Sequence, residues 1–537
     1  MDTMNKSYLD RQSKKLTTRL IDRRQFILSM LAAGIALPTA ISMAGEAMAA
    51  TPKKGGKIRI GLGHGSTTDS LDPSTFENGF STGVGFLYGN HLTEVDNKGN
   101  LVPDLAANFS PSDDGKVWYF ELRKGVEFHS GKTLSADDVI TSINYHRGEK
   151  SKSAAKGILT AVKNIRKDGN NKVAFELESA NADFPYIMSD YHLVIMPSKD
   201  GKIDPTSGIG TGPYKLTNYE AGVRAEAKRH PNYFKSGRAH FDEVLFLSLI
   251  DVTARQNALM SGNVDVIDRV DPKTVDLLAR NPNVKILENT GTLHYTFPMR
   301  LDVEPFGNYD LRMALKLSLK RQEMVDKILL GHGALGNDHP ISTANRYHAS
   351  DLPQREFDKD KAAYHYKKSG HSGTIKLSAA DAAFAGAVDA AQLIAASAKE
   401  VGIDIQVVRE PKDGYWSNVW NKKGWCACYW GGRPTEDWMF SSAYVDSTKW
   451  NDTAWKTTDG AKKFNKLAIQ ARAELDESKR RVMYAECQRL INDDGGAIVA
   501  MFANHIEGLS KKVAHDKDVA ANWSLDGGKA AERWWFA

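Results

Sequence analysis

The sequence predicts an α/β protein of two lobes around a cleft, because strand and helix signals alternate along most of its length. The segment "EVLFLSLIDVTARQNALMSGNVDVID" reads as a strand, a helix from about Thr253 and a second strand at Val264–Ile267. Such a βαβ unit implies parallel strands and a right-handed crossover. A second α/β half runs from "GTIKLSAADAAF" through a helix at 388–401 to "IDIQVV". Two linked α/β halves favour a ligand site in the cleft at their strand ends.

Individual elements support this class. In "KVWYFELRKGVEF", Trp118, Phe120 and Leu122 alternate with polar residues, which predicts a half-buried strand. In "SADDVITSINYH", the spacing of Ser135 and Asp138 matches a capping box at a helix start. "KIRIGLG" reads as an opening strand, and "DESKRRVMYAECQRLINDDGG" as a late helix that stops at its two glycines before the strand "AIVAMF".

Composition is that of a soluble globular protein, with 537 residues, 41% of them hydrophobic and 26% charged. At about 100–200 residues per domain, this length predicts two or three domains. The three cysteines, Cys426, Cys428 and Cys487, are too few for a disulfide framework or a zinc site. We expect them to pack as small apolar groups.

Residues 1–49 are interpreted as a cleaved export signal. A basic start precedes the apolar run "FILSMLAAGIALPTAISMAG", and Ala47-Met48-Ala49 fits a cleavage site. A membrane anchor is the alternative, which the Gly, Ala, Ser and Pro content disfavours. Arg23-Arg24 before "QFI" resembles a twin-arginine signal, with general secretion as the alternative. Cleavage removes seven basic and four acidic residues and leaves the mature protein with a net charge of +2. A charge so close to balance does not indicate a nucleic-acid-binding protein.

Several segments resemble one known family. "DDGKVWYFELRKGVEFHSGKTLSADDVITSI", "GTGPYKL", "ALMSGNVDVI" and "DLRMALKLSLKRQEMVDKILLGHG" occur in the order expected of solute-binding proteins of ABC importers. The resemblance is to their peptide/nickel-binding group, typified by dipeptide- and oligopeptide-binding proteins. It implies a two-lobed, type II periplasmic-binding-protein fold of the large subclass, whose lobes close around the ligand.

The resemblance also implies a domain division. Lobe I comprises residues 50–92, 205–292 and 505–537, an accessory subdomain residues 93–204, and lobe II residues 293–504. Hinge strands are expected near Thr292 and Asn504. "GTGPYKL" is interpreted as a scaffold turn that leads into a strand, with direct ligand contact as the alternative.

The function implied is that of a periplasmic, monomeric receptor, not an enzyme, which delivers short peptides to an inner-membrane ABC permease without a cofactor. Within this class the ligand could instead be an opine, a modified amino acid, an oligosaccharide or a nickel chelate. A secreted hydrolase and a periplasmic chaperone are alternatives of another class. The sequence has no H-E-x-x-H metalloprotease motif and no C-x-x-C-H haem-attachment motif.

The candidate site lies in "WGGRPTEDWMF", the segment that lines the cleft in the family. The resemblance implies an acid here that meets the ligand's terminal amine, with Asp437 the first candidate and Glu436 the second. Arg433 offers a planar fork to a carboxylate. The alternative is a solvated loop in which Arg433 pairs with one of these acids. The neighbours expected to line the pocket are Trp430, Gly432 and Trp438, although core packing is the alternative for each tryptophan.

Other candidates are weaker. Ser66 and Thr67, in the loop "GHGSTTDSLDP", are expected to hydrogen-bond the ligand from the opposite lobe. Arg346 is a second candidate for a ligand carboxylate. His332 and His339 stand seven residues apart in a loop, a spacing too weak to predict a metal site.

Overall fold

The computed structural model describes residues 12, 15, 23–33, 35, 52–169, 171–411 and 415–537. The predicted cleavage site, Ala47-Met48-Ala49, lies outside these residues, and the leader contributes the helix Arg23–Ala32. Within the described ranges, no helix combines the length and the hydropathy needed to cross a bilayer.

The largest sheet has seven strands and forms lobe I. Its opening strand, Lys57–Leu62, pairs in parallel with both Glu243–Ser248 and Val266–Ile267. The helix Val252–Met260 joins these two neighbours, so the predicted βαβ unit is confirmed. In spatial order the strands are Val284–Asn289, His505–Ser510, Val266–Ile267, Lys57–Leu62, Glu243–Ser248, Arg224–Arg229 and Tyr214–Glu220.

The accessory subdomain is a four-stranded antiparallel sheet, in the order Ala106–Pro111, Val117–Leu122, Lys172–Leu177 and Val162–Lys167. Trp118, Phe120 and Leu122 are buried, as the alternation predicts. The capping box is also confirmed, since Asp138 Oδ2 accepts from Ser135 N at 2.9 Å and from Ser135 Oγ at 2.7 Å.

Lobe II contains a second four-stranded sheet, in the order Gly333–Leu335, Ala497–Ala503, His294–Pro298 and Cys428–Trp430. The parallel pair Ile375–Ala379 and Ile405–Arg409 flanks the helix Ala387–Lys399, as predicted. The late helix, Glu477–Asp494, ends at Gly495 before the strand Ala497–Ala503. Cys426, Cys428 and Cys487 are free and buried in this lobe.

The remaining elements complete these layers. Short strand pairs are Thr93–Val95 with Leu101–Pro103, and Val513–Ala514 with Trp535–Phe536. Other α-helices are Gly79–Tyr88, Ala136–Tyr145, Phe184–Ile187, Val275–Ala279, Tyr309–Leu317, Arg321–Ile328, Lys359–Ser369, Tyr415–Asn418, Glu436–Ala443, Asp459–Ala473, Ser524–Gly527 and Ala530–Arg533. The 3₁₀ helices are Pro73–Thr75, Ala154–Leu159 and Pro272–Thr274.

Lobe I and the accessory subdomain share a seam. Along this seam, Leu193 and Ile195 are buried in the accessory core, whereas Val194 and Met196 are buried in the core of lobe I. At a second point Glu94 accepts hydrogen bonds from Lys529 at 2.7 Å and from Arg533 at 2.9 Å. The scaffold interpretation of "GTGPYKL" agrees, because a Cβ at Gly212 would lie 2.4 Å from the Tyr88 carbonyl carbon.

The chain crosses between the sheets of lobe I and lobe II at residues 290–293 and at Asn504. Glu288, just before the first crossing, links it to the second crossing at Asn504. Its carboxylate accepts from Asn504 Nδ2 at 2.6 Å and lies 2.9 Å from His332 Nδ1. His332 O also accepts from Asn504 N at 3.1 Å. The structure thus places His332 in a hydrogen-bond network at the crossings.

Candidate ligand-binding cleft

A cavity of about 550 Å³ lies where lobe I, the accessory subdomain and lobe II meet. Its volume falls within the range of small-molecule sites. Its lining is rich in amide side chains and includes one arginine; the polar and charged members are Asn97, Lys98, Asn289, Thr292, Asn345, Arg433, Lys517, Asp518 and Asn522.

Of the residues that the sequence predicts for the ligand site, Arg433 lines this cavity. Its Nη1 donates to the Gly431 carbonyl at 3.1 Å and to the Gly432 carbonyl at 3.2 Å. Its own carbonyl accepts from Asn345 Nδ2 at 3.3 Å. No ion pair joins Arg433 to a carboxylate of the described residues, so the expected alternative of a pair with Glu436 or Asp437 is not observed.

The wall of lobe II next to Arg433 is the edge strand Cys428–Trp430, which ends the four-stranded sheet. Cys428 and Trp430 pack in one core cluster of the lobe, whereas the half-buried Tyr429 lies on the opposite face of the strand and packs against the second core cluster. The Tyr429 ring lies 5.5 Å from Trp416, and Arg269 Cζ of lobe I approaches it to 5.9 Å. Tyr429 therefore contacts a cation from across the cleft.

Arg269 follows the carboxyl end of the strand Val266–Ile267 and has a left-handed φ of 51°. Its Nη1 contacts the imidazole of His64. Burial, and then the charges of Arg269 and Arg255, hold the pKa of His64 well below its usual value. This favours the neutral form of the His64 imidazole, whose lone pair accepts from the Arg269 guanidinium.

Aromatic and acidic side chains also lie near Arg433, since its charge acts on both Asp190 and Tyr191. Tyr191 lies edge-on to Trp523, with 5.4 Å between ring centroids. Beside it, Asp190 Oδ1 accepts from His192 N at 2.9 Å and lies 2.6 Å from His192 Nδ1. Burial opposes ionisation of Asp190, but His192 and the charge of Arg433 hold its pKa below the usual value. The buried Asp190 carboxylate thus interacts with both His192 and the charge of Arg433.

The two predicted ammonium partners already have partners inside the protein. Arg472 Nε donates to Asp437 Oδ1 at 2.9 Å and to Oδ2 at 3.1 Å. Glu436 Oε1 accepts from Tyr347 N at 2.7 Å, and burial raises the pKa of Glu436 to about 7. Both side chains lie inside the protein, with exposures of 3% for Asp437 and 1% for Glu436.

Trp430 and Trp438 are buried in lobe II rather than exposed as pocket walls. Trp430 Nε1 donates to Asp452 Oδ2 at 3.1 Å, while Trp438 N donates to the capping Thr435 Oγ1 at 3.2 Å. Gly432 has a steric role, since a Cβ there would lie 1.4 Å from Thr292 Oγ1 at the crossing.

The remaining candidates do not line the cavity. Ser66 Oγ is 2.7 Å from Thr68 Oγ1 in the loop that follows the opening strand, and Thr67 is exposed. Arg346 is 49% exposed and pairs with Glu477 at 2.9 Å. His339 is buried, 5.9 Å from the ring of His348. The described part of the chain contains no group of three or more metal-ligating side chains.

Sequence reasoning missed Tyr191, Arg269, Tyr429 and Trp523. For Arg269 a signal existed, because ligands bind at the carboxyl ends of parallel strands and Arg269 follows such a strand of the predicted βαβ unit. For Tyr429 the signal was weaker. Successive side chains of a strand point to opposite faces, so alternation places Tyr429 on the other face of the strand from Cys428 and Trp430. Tyr191 and Trp523 lie 332 positions apart, and no local pattern joins them.

Comparisons with known proteins agree with this geometry. The family model described as "Bacterial extracellular solute-binding proteins, family 5 Middle" matches residues 100–452. Di/tripeptide-binding protein 1 of Pseudomonas aeruginosa is 25% identical over 495 residues, which cover 84% of this chain and 90% of that protein. The dipeptide-binding protein of Escherichia coli is 24% identical over 458 residues, 77% of this chain and 83% of that protein.

Among solved structures, the periplasmic binding protein AgaA from A. tumefaciens R10, in complex with agropinic acid, superposes with a TM-score of 0.78. It is 21% identical, and the match covers 90% of this chain and 99% of that one. The fold and cleft therefore define a two-lobed periplasmic binding protein. The chain belongs to the bacterial extracellular solute-binding proteins, family 5.

Proposed function

We propose that the protein captures short peptides between its lobes in the periplasm and delivers them to an ABC permease of the inner membrane. Family membership supports the binding role, and relatives named for dipeptides and tripeptides support the ligand class. The protein binds its ligand without turnover and acts as a monomer without nucleic acid. Export depends on the leader, whose Arg23-Arg24 pair engages the twin-arginine route.

The observation that carries the proposal is the edge strand Cys428–Trp430, from which Tyr429 faces Arg269 across the cleft. A strand at the end of a sheet has unpaired backbone donors and acceptors on one side. The residues that precede this strand use that side to pair with Ser378, since Ala427 N donates to Ser378 O at 2.9 Å, so the open groups lie within 428–430. An extended peptide satisfies such groups by adding as a further strand. Tyr191, Trp523 and Tyr429 supply apolar surface for its side chains, and Arg433 a group for its carboxylate.

The experiment begins with the mature protein, purified from the periplasm and extracted for bound small molecules, which mass spectrometry identifies. Calorimetric titration with dipeptides to pentapeptides follows on the unliganded protein. We expect stoichiometric binding with a dissociation constant between about 1 µM and 1 nM, and no consumption of the peptide. Absence of binding to every peptide, together with a co-purified compound of another class, overturns the peptide assignment. Turnover of the peptide favours a hydrolase.

A further inference from the structure

Two arginines face the cleft from opposite lobes without a carboxylate partner among the described residues, Arg269 in lobe I and Arg433 in lobe II. Several enclosed guanidinium groups of the described residues are matched by acids, whereas Arg269 is exposed and Arg433 is half-buried. Examples are the pairs Arg472–Asp437 at 2.9 Å, Arg321–Asp338 at 2.7 Å and Arg533–Glu94 at 2.9 Å. A cation held without such a match is available to an anionic group of the ligand.

Neutral acceptors position both arginines. The carbonyls of Gly431 and Gly432 hold Arg433, and the neutral imidazole of His64 holds Arg269. These contacts fix the direction of each guanidinium without an ion pair, although the charges of Asp190 and Asp268 interact with Arg433 and Arg269, respectively. A guanidinium with a fixed direction binds a carboxylate with less loss of side-chain freedom.

The acids near these arginines differ in availability. Asp190 is engaged by His192, and Asp271 accepts from Lys273 N at 2.9 Å as the cap of a short helix. Glu77 is exposed, and its charge reaches the hydroxyl of Tyr191. Among the described residues that line the cavity, the charged side chains are Lys98, Arg433, Lys517 and Asp518, so cations outnumber acids there. A peptide with one acidic side chain carries the opposite excess, with two carboxylates and one ammonium.

We propose that the cleft selects short peptides that carry an acidic side chain. Arg269 and Arg433 each bind one carboxylate of the peptide, and Glu77 binds its ammonium group. This inference rests on the proposed function of peptide capture and names the substrate class of the same site. The selection is electrostatic, because an Arg–carboxylate contact in a closed cleft is stronger than one in open water.

The test compares peptides of equal length by calorimetry on the wild-type protein: Ala-Glu-Ala, Ala-Gln-Ala and Ala-Lys-Ala. Gln matches the size of Glu without its charge, and Lys reverses the charge. We expect Ala-Glu-Ala to bind about tenfold more tightly than Ala-Gln-Ala, with Ala-Lys-Ala weakest. Equal affinities for the three overturn the inference and leave peptide capture intact, whereas failure of all three to bind overturns peptide capture itself.

Variants then assign the carboxylates. Arg269→Gln and Arg433→Gln each lower the affinity for Ala-Glu-Ala, and the one that contacts the acidic side chain also removes its advantage over Ala-Gln-Ala. Arg280→Gln, on the surface of lobe I, is the control for loss of one positive charge and keeps the wild-type ratio. If both cleft variants also keep that ratio, the assignment to these arginines is wrong. The melting temperature of each variant shows that it is folded.

Discussion

Asp183 of the accessory subdomain pairs with Arg480 of lobe II, with 3.3 Å between the carboxylate and the guanidinium. Both side chains are buried, with exposures of 5% and 7%, and Ala182 N donates to Arg472 O at 2.9 Å beside them. Because the accessory subdomain is attached to lobe I, these contacts join the two halves that must separate when the cleft opens. The acids predicted for ligand binding, Glu436 and Asp437, lie in this same network.

Arg480→Gln tests whether this pair stabilises the closed form. The substitution leaves the buried Asp183 without its cation, a change that costs about 3–5 kcal/mol when the site stays dry. Opening hydrates Asp183 and relieves this cost, so we expect a larger radius of gyration in solution scattering and about tenfold weaker ligand binding.

Arg489→Gln is the matched control on the same helix, since Arg489 is 46% exposed and pairs with Glu486 at the surface. It should change neither the scattering profile nor the affinity. A similar result for Arg480→Gln would mean that the pair does not bias closure.

Glu436→Gln tests the pH dependence of the fold. Burial raises the pKa of Glu436 to about 7, above its value in the unfolded chain. The folded state therefore holds the proton more tightly, and this contribution to stability is full at acidic pH and lost as the pH rises through about 7. Gln keeps an acceptor for Tyr347 N and carries no charge.

We expect the variant to match the wild type near pH 4.5 and to be more stable at pH 8, by about 2–4 kcal/mol. Denaturant unfolding at the two pH values measures this difference. The exposed Glu121→Gln serves as the control and should show no pH-dependent gain. A Glu436→Gln variant that is less stable at pH 8 would show that an ionised Glu436 has a partner in the folded state.

The fold was largely predictable because its signals are local. The capping box is recognised from two residues three positions apart, Ser135 and Asp138. The alternation of apolar and polar residues is recognised within the single strand Val117–Leu122. The βαβ unit extends over only 243–267, and the parallel direction of its two strands, which lie on either side of Lys57–Leu62, follows from the length of the crossover.

The site was less predictable, because the partner of a charge depends on tertiary packing. Asp437 lies on the helix Glu436–Ala443, and its partner Arg472 lies 35 positions later on another helix. Nothing in the spacing of "GGRPTED" shows whether an acid faces the cleft or that helix. The same holds for Arg269 and Tyr429, which meet only because the two lobes pack together.

Asp437→Asn separates a structural role from a ligand-binding role for this acid. The structure leads us to expect a loss of stability of about 3 kcal/mol, because Arg472 loses its carboxylate, and an affinity for peptides within about threefold of the wild type. Thermal unfolding and calorimetry measure the two effects. In the double variant with Arg472→Gln the loss should be smaller than the sum of the single losses. An unchanged melting temperature with a tenfold loss of affinity would instead restore Asp437 as the ammonium partner.

Gly432→Ala tests the close approach between the site segment and the crossing. A Cβ at this position would lie 1.4 Å from Thr292 Oγ1 and 2.6 Å from Thr292 Cβ, so the segment or the crossing must shift. Gly431→Ala is the matched control, because the nearest atom to its Cβ, Arg433 Nη1, is 4.0 Å away. A shift at Gly432 moves the carbonyls that position Arg433, so we expect ligand affinity to fall at least about tenfold in that variant alone. Calorimetry with one peptide on both variants measures this difference. Equal affinities of the two variants would show that the backbone at Thr292 shifts without moving Arg433.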